Sequence, residues 1–340
     1  MTSRVIFSLA CALLLAAPAS AQDDSVVRAQ ALARDGQYDA ARADLRAVLQ
    51  RDPADRDAIA ALIDVELAAE RPRTAKDLAD DALGTAPNDG RFIEGRRRAV
   101  DALALLRPWS LSAGSSFEWI ETNRSEWREY SAALRRSTRA GPLLLKGTRA
   151  ERGAVQDDQF EFEFVPRLAS GTYLYLSASV APDKLLFPEQ RYAADFYQGV
   201  GAGFELSAGF RRLRTAADID TYVGTVNKYV GKWVISARAF YNPDSDAASA
   251  RSYHGSVRRY FGEDGASYVG GRYSHGFPRE DVRNLNDLEV LDADTVAFDL
   301  NAYLGRRVIL GASGSTSRQT REGVAERRRN SVSASLGLRF

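Results

Sequence analysis

The sequence predicts an α + β protein in which an N-terminal helical-repeat module precedes an antiparallel transmembrane β-barrel of about 14 strands. Three observations support this fold class. At Pro108 the chain changes from Ala- and Leu-rich segments with helical spacing to Ser-, Gly- and Tyr-rich segments that alternate. The helical part repeats with a fixed period. The last segment of the strand part has one apolar and one polar face.

Residues 330–340 form the clearest predicted strand. Apolar residues occupy every second position from Val332 to Phe340, and small or polar residues lie between them. A transmembrane barrel strand needs about 9–11 residues that alternate in this way, with an aromatic residue at the membrane interface. A last strand that ends on Phe340 resembles the signal by which bacterial outer-membrane barrels are recognised. We therefore expect the barrel assembly machinery to be a partner.

Residues 1–21 have the pattern of a secretory signal peptide. Arg4 precedes an apolar run at 5–17, and an Ala-Ser-Ala cleavage site ends at Ala21. Cys11, the single cysteine, lies inside the apolar run rather than at the cleavage point, so we expect it to carry no lipid. The mature chain would then have no disulfide and no cysteine-bound metal.

The helical part, predicted at 22–107, repeats every 34 residues, which is the separation both of Ala41 from Ala75 and of Pro53 from Pro87. This period, with a proline closing the second helix of each unit, resembles tetratricopeptide repeats. A further helix at about 90–106 would cap the stack. The alternative is an Ala-rich helical bundle without a binding role.

The strand part, predicted at 108–340, shows clear alternation; for example, Phe160, Phe162 and Phe164 face one way. Short junctions alternate with long ones at 182–191, 242–250 and 276–294, as expected for a barrel with turns on one side and surface loops on the other. Tryptophans near predicted strand ends, together with the last residue, are expected to be membrane-interface anchors. They are Trp109, Trp119, Trp127, Trp233 and Phe340. The alternative for each tryptophan is core packing.

The polar face of the strands is expected to line the lumen. The candidate lumen residues are Glu118, Lys146, Glu161, Glu163, Glu205, Arg211, Arg238, Arg258, Asp299 and Arg339. They form either a water-filled pore whose charges select solutes or a closed lumen filled by paired charges. Five further arginines near the last outer loop either hold lipopolysaccharide phosphates or keep the loop soluble. They are Arg318, Arg321, Arg327, Arg328 and Arg329.

The cleaved signal, the short repeat module and the barrel together resemble the YaiO family of outer-membrane barrel proteins. Local features add to the likeness: the Gly- and Arg-rich run 199–214, the strand pair 228–241, the Arg-Arg-Tyr-Phe run at 258–261, and the segment 270–276. A weaker resemblance is to exopolysaccharide export porins, whose helical array is longer. The YaiO resemblance implies an outer-membrane location and a periplasmic helical domain, and little chemistry.

Composition and motifs exclude several functions. The net charge of +1 and the absence of a basic half make nucleic acid an unlikely class of partner. We expect no cofactor, no metal and no enzymatic activity, because His254 and His275, the two histidines, lie on separate predicted strands. An outer-membrane lipase would need a Ser and a His together on the lipid-facing side. Ser252, Ser256 and Ser274 are near a histidine in sequence only.

These observations lead to the expectation of a transport or export channel whose helical module docks a periplasmic protein or polysaccharide. A non-transporting structural or surface-exposed barrel is the alternative, and an outer-membrane lipid hydrolase is a weaker third one. Outer-membrane lipid and lipopolysaccharide are the expected surroundings of the barrel.

Overall fold

The computed structural model describes residues 19–121, 126–215, 218–243, 251–262, 265–276, 290–305, 307–321 and 324–340. The predicted signal peptide up to residue 18, with Cys11, lies outside the described residues. Most of the long connections predicted at 242–250 and 276–294 also lie outside them.

The chain divides into two compact units, Met1–Glu70 and Arg71–Phe340. The first unit contains the helices α1 (Ala19–Arg34), α2 (Tyr38–Arg51) and α3 (Arg56–Ala68). Small residues such as Ala41 and Ala58 are fully buried, which lets the helices approach closely. A buried ion pair joins α2 to α3, with Arg42 Nε 2.9 Å from Glu66 Oε1.

The second unit contains α4 (Pro72–Thr85), α5 (Gly90–Leu105) and all the strands. Pro72 is the first residue of α4, where its missing N–H costs no helical hydrogen bond. Asp89 caps α5 by accepting the Arg91 N–H. Helix α5 ends at Leu105 and the first strand begins at Trp109, and the domain boundary between 107 and 108 stays a prediction. The compact units divide earlier, because α4 and α5 contact the barrel. None of the described helices is long and apolar enough to cross a membrane.

The strands are long, antiparallel and joined in chain order. Their bounds are β1 (Trp109–Ile120), β2 (Glu126–Thr138), β3 (Gly141–Arg152), β4 (Val155–Phe164), β5 (Arg167–Ala169), β6 (Thr172–Val180), β7 (Gln190–Gly201), β8 (Phe204–Arg214), β9 (Asp218–Val230), β10 (Trp233–Tyr241), β11 (Arg251–Phe261), β12 (Ser267–His275), β13 (Val290–Leu304), β14 (Val308–Arg321) and β15 (Val324–Arg339).

The sheet closes on itself because β1 pairs with β15 as well as with β2. At the seam the Trp109 N–H donates to the Phe340 carbonyl at 3.0 Å, and the Phe340 N–H donates back at 2.9 Å. Both β4 and the short β5 pair with β6, so they occupy one position in the wall. Within the described residues the barrel therefore has fourteen strand positions. The predicted fold class is confirmed.

The two faces of the wall differ as a membrane barrel requires. Large apolar side chains at alternate positions point outward and are exposed. Among them are Leu111, Phe160, Phe162, Leu206, Val226, Ile235, Val257, Val269, Val296, Phe298, Val332, Leu336 and Leu338. Polar and small side chains occupy the positions between them and point inward.

Strands in different parts of the wall, among them β3, β4, β8 and β9, extend beyond the apolar band. Beyond the apolar band, outward positions carry cross-strand ion pairs, such as Arg212 with Asp220 at 2.6 Å and Arg149 with Asp158 at 2.7 Å. Such pairs suit a sheet that continues into water. An apolar pattern cannot indicate where such a sheet ends.

Candidate functional site

The lumen contains a polar cavity of about 710 Å³. Two ends of the barrel are distinguished below. The helix-side mouth is the end that holds Trp109 and Phe340 and contacts α5. The loop-side mouth is the opposite end, where residues 181–189 join β6 to β7. The cavity lies between the two, and Lys146, Glu161, Arg211 and Arg238 of the predicted lumen set line it.

An ion pair between β7 and β8 anchors one wall of the cavity. Asp195 is 2% exposed and accepts hydrogen bonds from both terminal nitrogens of Arg211, at 2.8 and 2.6 Å. Asp195 lies opposite Gly209, and its carboxylate occupies the space that a side chain at Gly209 would need. A bidentate pair of this kind holds both charges in one geometry. Arg211 is therefore neutralised and cannot bind a free anion without losing Asp195.

Arg238 on β10 also reaches the cavity, but its partners are neutral. Its Nε donates to Thr225 Oγ1 at 3.1 Å, and a terminal nitrogen donates to the Tyr197 hydroxyl at 3.2 Å. Among the described residues, no carboxylate forms an ion pair with this guanidinium. Arg238 therefore places an uncompensated positive charge in the cavity wall.

The other predicted charges next to the cavity are only loosely paired. Lys146 Nζ lies 3.7 Å from Glu161 Oε2, which is longer than a hydrogen bond. Glu163 accepts a hydrogen bond from the Tyr175 hydroxyl at 3.1 Å.

Towards the helix-side mouth, Glu205 organises a layer of tyrosines. Its Oε1 accepts hydrogen bonds from the hydroxyls of Tyr173 and Tyr229, at 3.0 and 3.2 Å, and from the Asn227 amide at 2.9 Å. Tyr173 also stacks on Tyr197 with 4.6 Å between ring centroids. This layer narrows the lumen below the cavity.

The remaining lumen charges pair across neighbouring strands. Glu118 lies 2.6 Å from Arg329, and both are nearly buried inside the barrel. Arg258 lies 3.4 Å from Asp299. Arg327 is also buried and donates to Gln319 at 2.9 Å. Neither alternative given for the five arginines, lipopolysaccharide binding or a solvated loop, fits Arg327 and Arg329, because alternation on β15 turns both of them into the lumen.

Two arginines of that cluster do face outward. Arg318 pairs with Glu326 at 2.9 Å, and Arg328 lies 3.8 Å from Glu121. The side chain of Arg321 lies outside the described part of the chain. Contact of Arg318 and Arg328 with lipopolysaccharide stays a prediction.

The loop-side mouth is narrowed by residues 181–189, which fold onto the barrel wall. Asp157 of β4 is 2% exposed, and its Oδ2 accepts the backbone N–H groups of Leu185, Leu186 and Phe187 at 2.9, 2.8 and 2.9 Å. Leu186 and Phe187 then join a small apolar cluster with Trp127. The carboxylate thus fixes the loop at the mouth of the cavity.

Trp127 belongs to this cluster and is not an interface anchor. It is 3% exposed, its Nε1 donates to Glu129 at 2.6 Å, and its ring meets Phe187 edge to face at 6.0 Å. The prediction fails because position near a strand end does not say which face a residue occupies. Trp127 shares the inward face of β2 with Glu129.

The other predicted anchors lie on the outward face. Trp109 stacks under Arg136, Trp119 stacks on Phe117, and Trp233, which is 46% exposed, lies under Arg259. Phe340 is exposed on the same face as Leu338. These positions suit interface anchoring.

The helix-side mouth is covered by α5. Arg339, a predicted lumen residue, donates from Nε to the Arg107 carbonyl at 3.0 Å and from a terminal nitrogen to the Leu103 carbonyl at 3.0 Å. A cation at the C-terminal end of a helix is favourable because the carbonyls there lack helical partners. Asp101 on α5 also forms an ion pair with Arg167 of β5.

Two α5 arginines extend the cover into the lumen. Arg96 lies over the ring of Tyr260 and Arg97 over that of Tyr173, each 6.0 Å from the ring centroid. The preceding turn joins the wall through the Gly231 N–H, which donates to the Pro87 carbonyl at 3.0 Å. A smaller cavity of about 450 Å³ remains between α5 and the wall.

Two carboxyls on the helices titrate away from their usual range. Burial raises the pKa of Asp101, more than the neighbouring Arg167 and Arg97 lower it. Burial acts in the same direction on Asp80, but Lys76 and Arg96 lie 2.8 and 2.6 Å away and hold its pKa below the usual value. Asp80 therefore ties α4 to α5 as a charged group.

The two histidines occupy opposite faces of the barrel wall. His254 lies in the lumen against Phe240, with 4.7 Å between ring centroids, and pairs across strands with Ser274. His275 faces outward, where Asp294 Oδ1 lies 3.0 Å from its Nδ1 and accepts the Tyr273 hydroxyl at 2.6 Å. Among the described residues, no group of three or more potential ligands is placed to hold a metal ion.

Sequence reasoning missed the residues that close the lumen. Asp157, Asp195 and the tyrosines around Glu205 were not predicted. Alternation alone would have placed Asp157 on the same face as Glu161 and Glu163. The role of Asp157 depends on a loop whose bonded amides lie 28 to 30 residues further along the chain, and no local signal indicates this contact.

Two family models match the chain. The YaiO membrane beta barrel domain matches residues 109–281, just over half of the chain, and a tetratricopeptide repeat matches residues 32–94. None of the curated proteins compared with the chain matches it.

Solved structures with a similar fold include several porins. The outer membrane protein Omp33 of Acinetobacter baumannii is 11% identical, with a TM-score of 0.41 over 68% of this chain and 99% of that one. A triple mutant of the Rhodopseudomonas blastica porin is 12% identical, with a TM-score of 0.37 over 68% and 100%. Pseudomonas aeruginosa OccK3 is 10% identical, with a TM-score of 0.36 over 68% and 98%. At these values the likenesses do not bear on function.

The identity of the chain follows from the family match and from the closed barrel behind a helical segment. The family model covers β1 to β12, and the repeat model covers α2 to α4 with parts of the flanking helices. The chain belongs to the YaiO membrane beta-barrel family.

Proposed function

We propose that this protein is a gated outer-membrane channel for polar solutes, with α5 as its gate and the helices on the periplasmic side. The observation that carries the proposal is the polar cavity of about 710 Å³ inside a lipid-facing wall, covered at the helix-side mouth by a helix that is not part of the sheet.

The chemistry of the lumen supports passage of polar solutes. A barrel filled only for stability needs matched charges and little free volume. Here hydroxyls line much of the cavity, and Arg238 lacks a carboxylate partner. Such a lining can replace part of the water shell of a polar solute.

The contacts of α5 support a gate. Asp101, Arg339, Arg96 and Arg97 hold α5 through separate polar or ring contacts, each contributing about 1 kcal/mol. Their sum is small enough for a binding partner to reverse. The repeat module in front of α5 is suited to docking a periplasmic protein or polysaccharide, because stacked helical repeats present extended binding surfaces.

The test is single-channel conductance of the refolded mature chain in a planar bilayer. We expect the wild type to be closed most of the time. The variants Arg339→Gln and Arg167→Gln each remove one contact between α5 and the wall. Together they cost the closed state about 2 kcal/mol, so the open fraction rises roughly 30-fold.

The matched control is Arg259→Gln, which removes an outward arginine at the same mouth that contacts Trp233 instead of α5. It should leave conductance unchanged. Absence of conductance in the wild type and in the double variant would contradict the channel proposal and favour a structural barrel. The Glu205 layer with the Tyr173–Tyr197 stack is the observation that favours this alternative. We assign no catalytic role to the chain.

A further inference from the structure

The lumen cavity has two chemically different walls. On the β1, β14 and β15 side, its lining is made of small hydroxyl side chains, among them Ser116, Ser313, Ser331 and Ser333. These serines pair across the strands, with 2.7 Å between the Oγ atoms of Ser313 and Ser333. Small side chains leave the free volume on this side and present hydroxyls that both donate and accept hydrogen bonds.

The opposite wall carries charge and aromatic rings. Tyr175 and Tyr197 line it together with Asp195, Arg211 and Arg238. Asp195 and Arg211 neutralise each other, whereas the Arg238 guanidinium is held by two neutral oxygens. Arg238 therefore presents a positive charge to a ligand on this wall, which Arg191 of β7 also lines.

Ser179 adds a further polar group beside the cavity. It is 8% exposed and lines the same space, and its hydroxyl has no hydrogen-bond partner among the described residues. Buried hydroxyls are normally satisfied, so this one has unused hydrogen-bonding capacity.

We propose that the cavity binds an acidic oligosaccharide. The serine wall would bond sugar hydroxyls, the tyrosine rings would cover the apolar face of a sugar ring, and Arg238 would bind the carboxylate. The volume falls in the range of about 300–1,000 Å³ that is usual for small-molecule sites. A guanidinium suits a carboxylate because its donors form a planar fork. The inference names the solute of the proposed channel and rests on that function for its biological meaning.

The test is equilibrium binding to the refolded full mature chain in detergent, by titration calorimetry. The probes are a β-1,4-linked trimer of glucuronic acid and the neutral glucose trimer with the same linkage. We expect the acidic trimer to bind at least tenfold more tightly. Replacement Arg238→Gln should weaken binding of the acidic trimer roughly 10- to 100-fold and leave binding of the neutral trimer unchanged.

The matched control is Arg149→Gln, which removes an outward arginine on β3 that pairs with Asp158 outside the lumen. It should not change binding of either trimer. Ser333→Ala is a milder lumen variant that keeps the charge of Arg238. It should weaken binding of both trimers by the same few-fold factor. Folding of each variant is checked by the heat-dependent shift of the barrel on gels.

Several outcomes would overturn the inference. These are equal binding of the two trimers, no binding of either, or an equal loss in Arg238→Gln and Arg149→Gln. Because binding is measured without a membrane current, its failure is separate from failure of the channel proposal. A protein that conducts but binds neither trimer would refute only the proposal that the cavity binds an acidic oligosaccharide.

Discussion

At the scale of single residues, the structure separates neighbours that the sequence presents as alike. Asp157 and Asp158 are adjacent carboxylates near the start of β4. Asp157 is buried and holds three loop amides, whereas Asp158 faces outward and pairs with exposed Arg149. The strand period of two is the cause, because consecutive side chains point to opposite faces.

Replacement Asp157→Ala should release the loop 181–189 from the loop-side mouth. Loss of charge-assisted hydrogen bonds to three amides should cost roughly 3 kcal/mol of loop stability. Trypsin would then cut after Lys184 about 100-fold faster, since local opening controls cleavage. The rate is followed by mass spectrometry of the Lys184–Leu185 cleavage. Asp158→Ala is the control, and trypsin should cleave it at the wild-type rate. Equal rates in the two variants would refute the role of Asp157.

At the scale of elements, α5 joins the helical part to the barrel by side-chain chemistry. Glu94 and Arg97 face Asp101 from α5 itself, and Arg167 faces it from β5. The pKa of Asp101 is raised by burial in the docked state, whereas the undocked helix would have the ordinary value of about 3.9. Ionisation therefore costs more in the docked state than in the undocked state.

Docking of α5 should be tightest in acid. Below about pH 3.9 Asp101 is protonated in both states, and its full contribution to docking is present. As the pH rises through the docked pKa, this contribution is lost. The open fraction of the channel should thus rise between pH 4 and pH 7. Asp101→Asn should remove this rise and leave the open fraction the same at pH 4 and at pH 7, and the control Asp81→Asn on α4 should behave as wild type. A pH response that persists in Asp101→Asn would exclude this residue as its source.

At the scale of the whole molecule, the barrel wall is a single sheet that separates lipid from lumen. Consecutive residues of one strand therefore face lipid and lumen in turn. On β15, Ser333 bonds Ser313 on the lumen face, whereas Ala334 lies on the outward face with the exposed Val332 and Leu336. The two positions lie side by side in the same strand and differ only in the solvent they face.

An arginine should therefore be costly at one position and tolerated at the other. Ala334→Arg is expected to lower the free energy of unfolding in lipid vesicles by roughly 2–4 kcal/mol. Ser333→Arg should lower it by less than about 1 kcal/mol, because the lumen has room and water. The measurement is denaturant unfolding in vesicles of one lipid composition. A similar cost at the two positions would mean that the outward face of β15 is not in hydrocarbon.

The order of helices and strands, the barrel and the face of most strand residues could be predicted from the sequence. Each of these follows from local periodicity, since 3.6-residue and two-residue patterns are set by the backbone. The folded chain was needed to show that Trp127 faces inward, that Arg327 and Arg329 are buried, and that Arg339 binds α5 rather than facing an open lumen. These depend on contacts between residues far apart in the chain, such as Arg339 with Leu103, whose energies no local pattern contains.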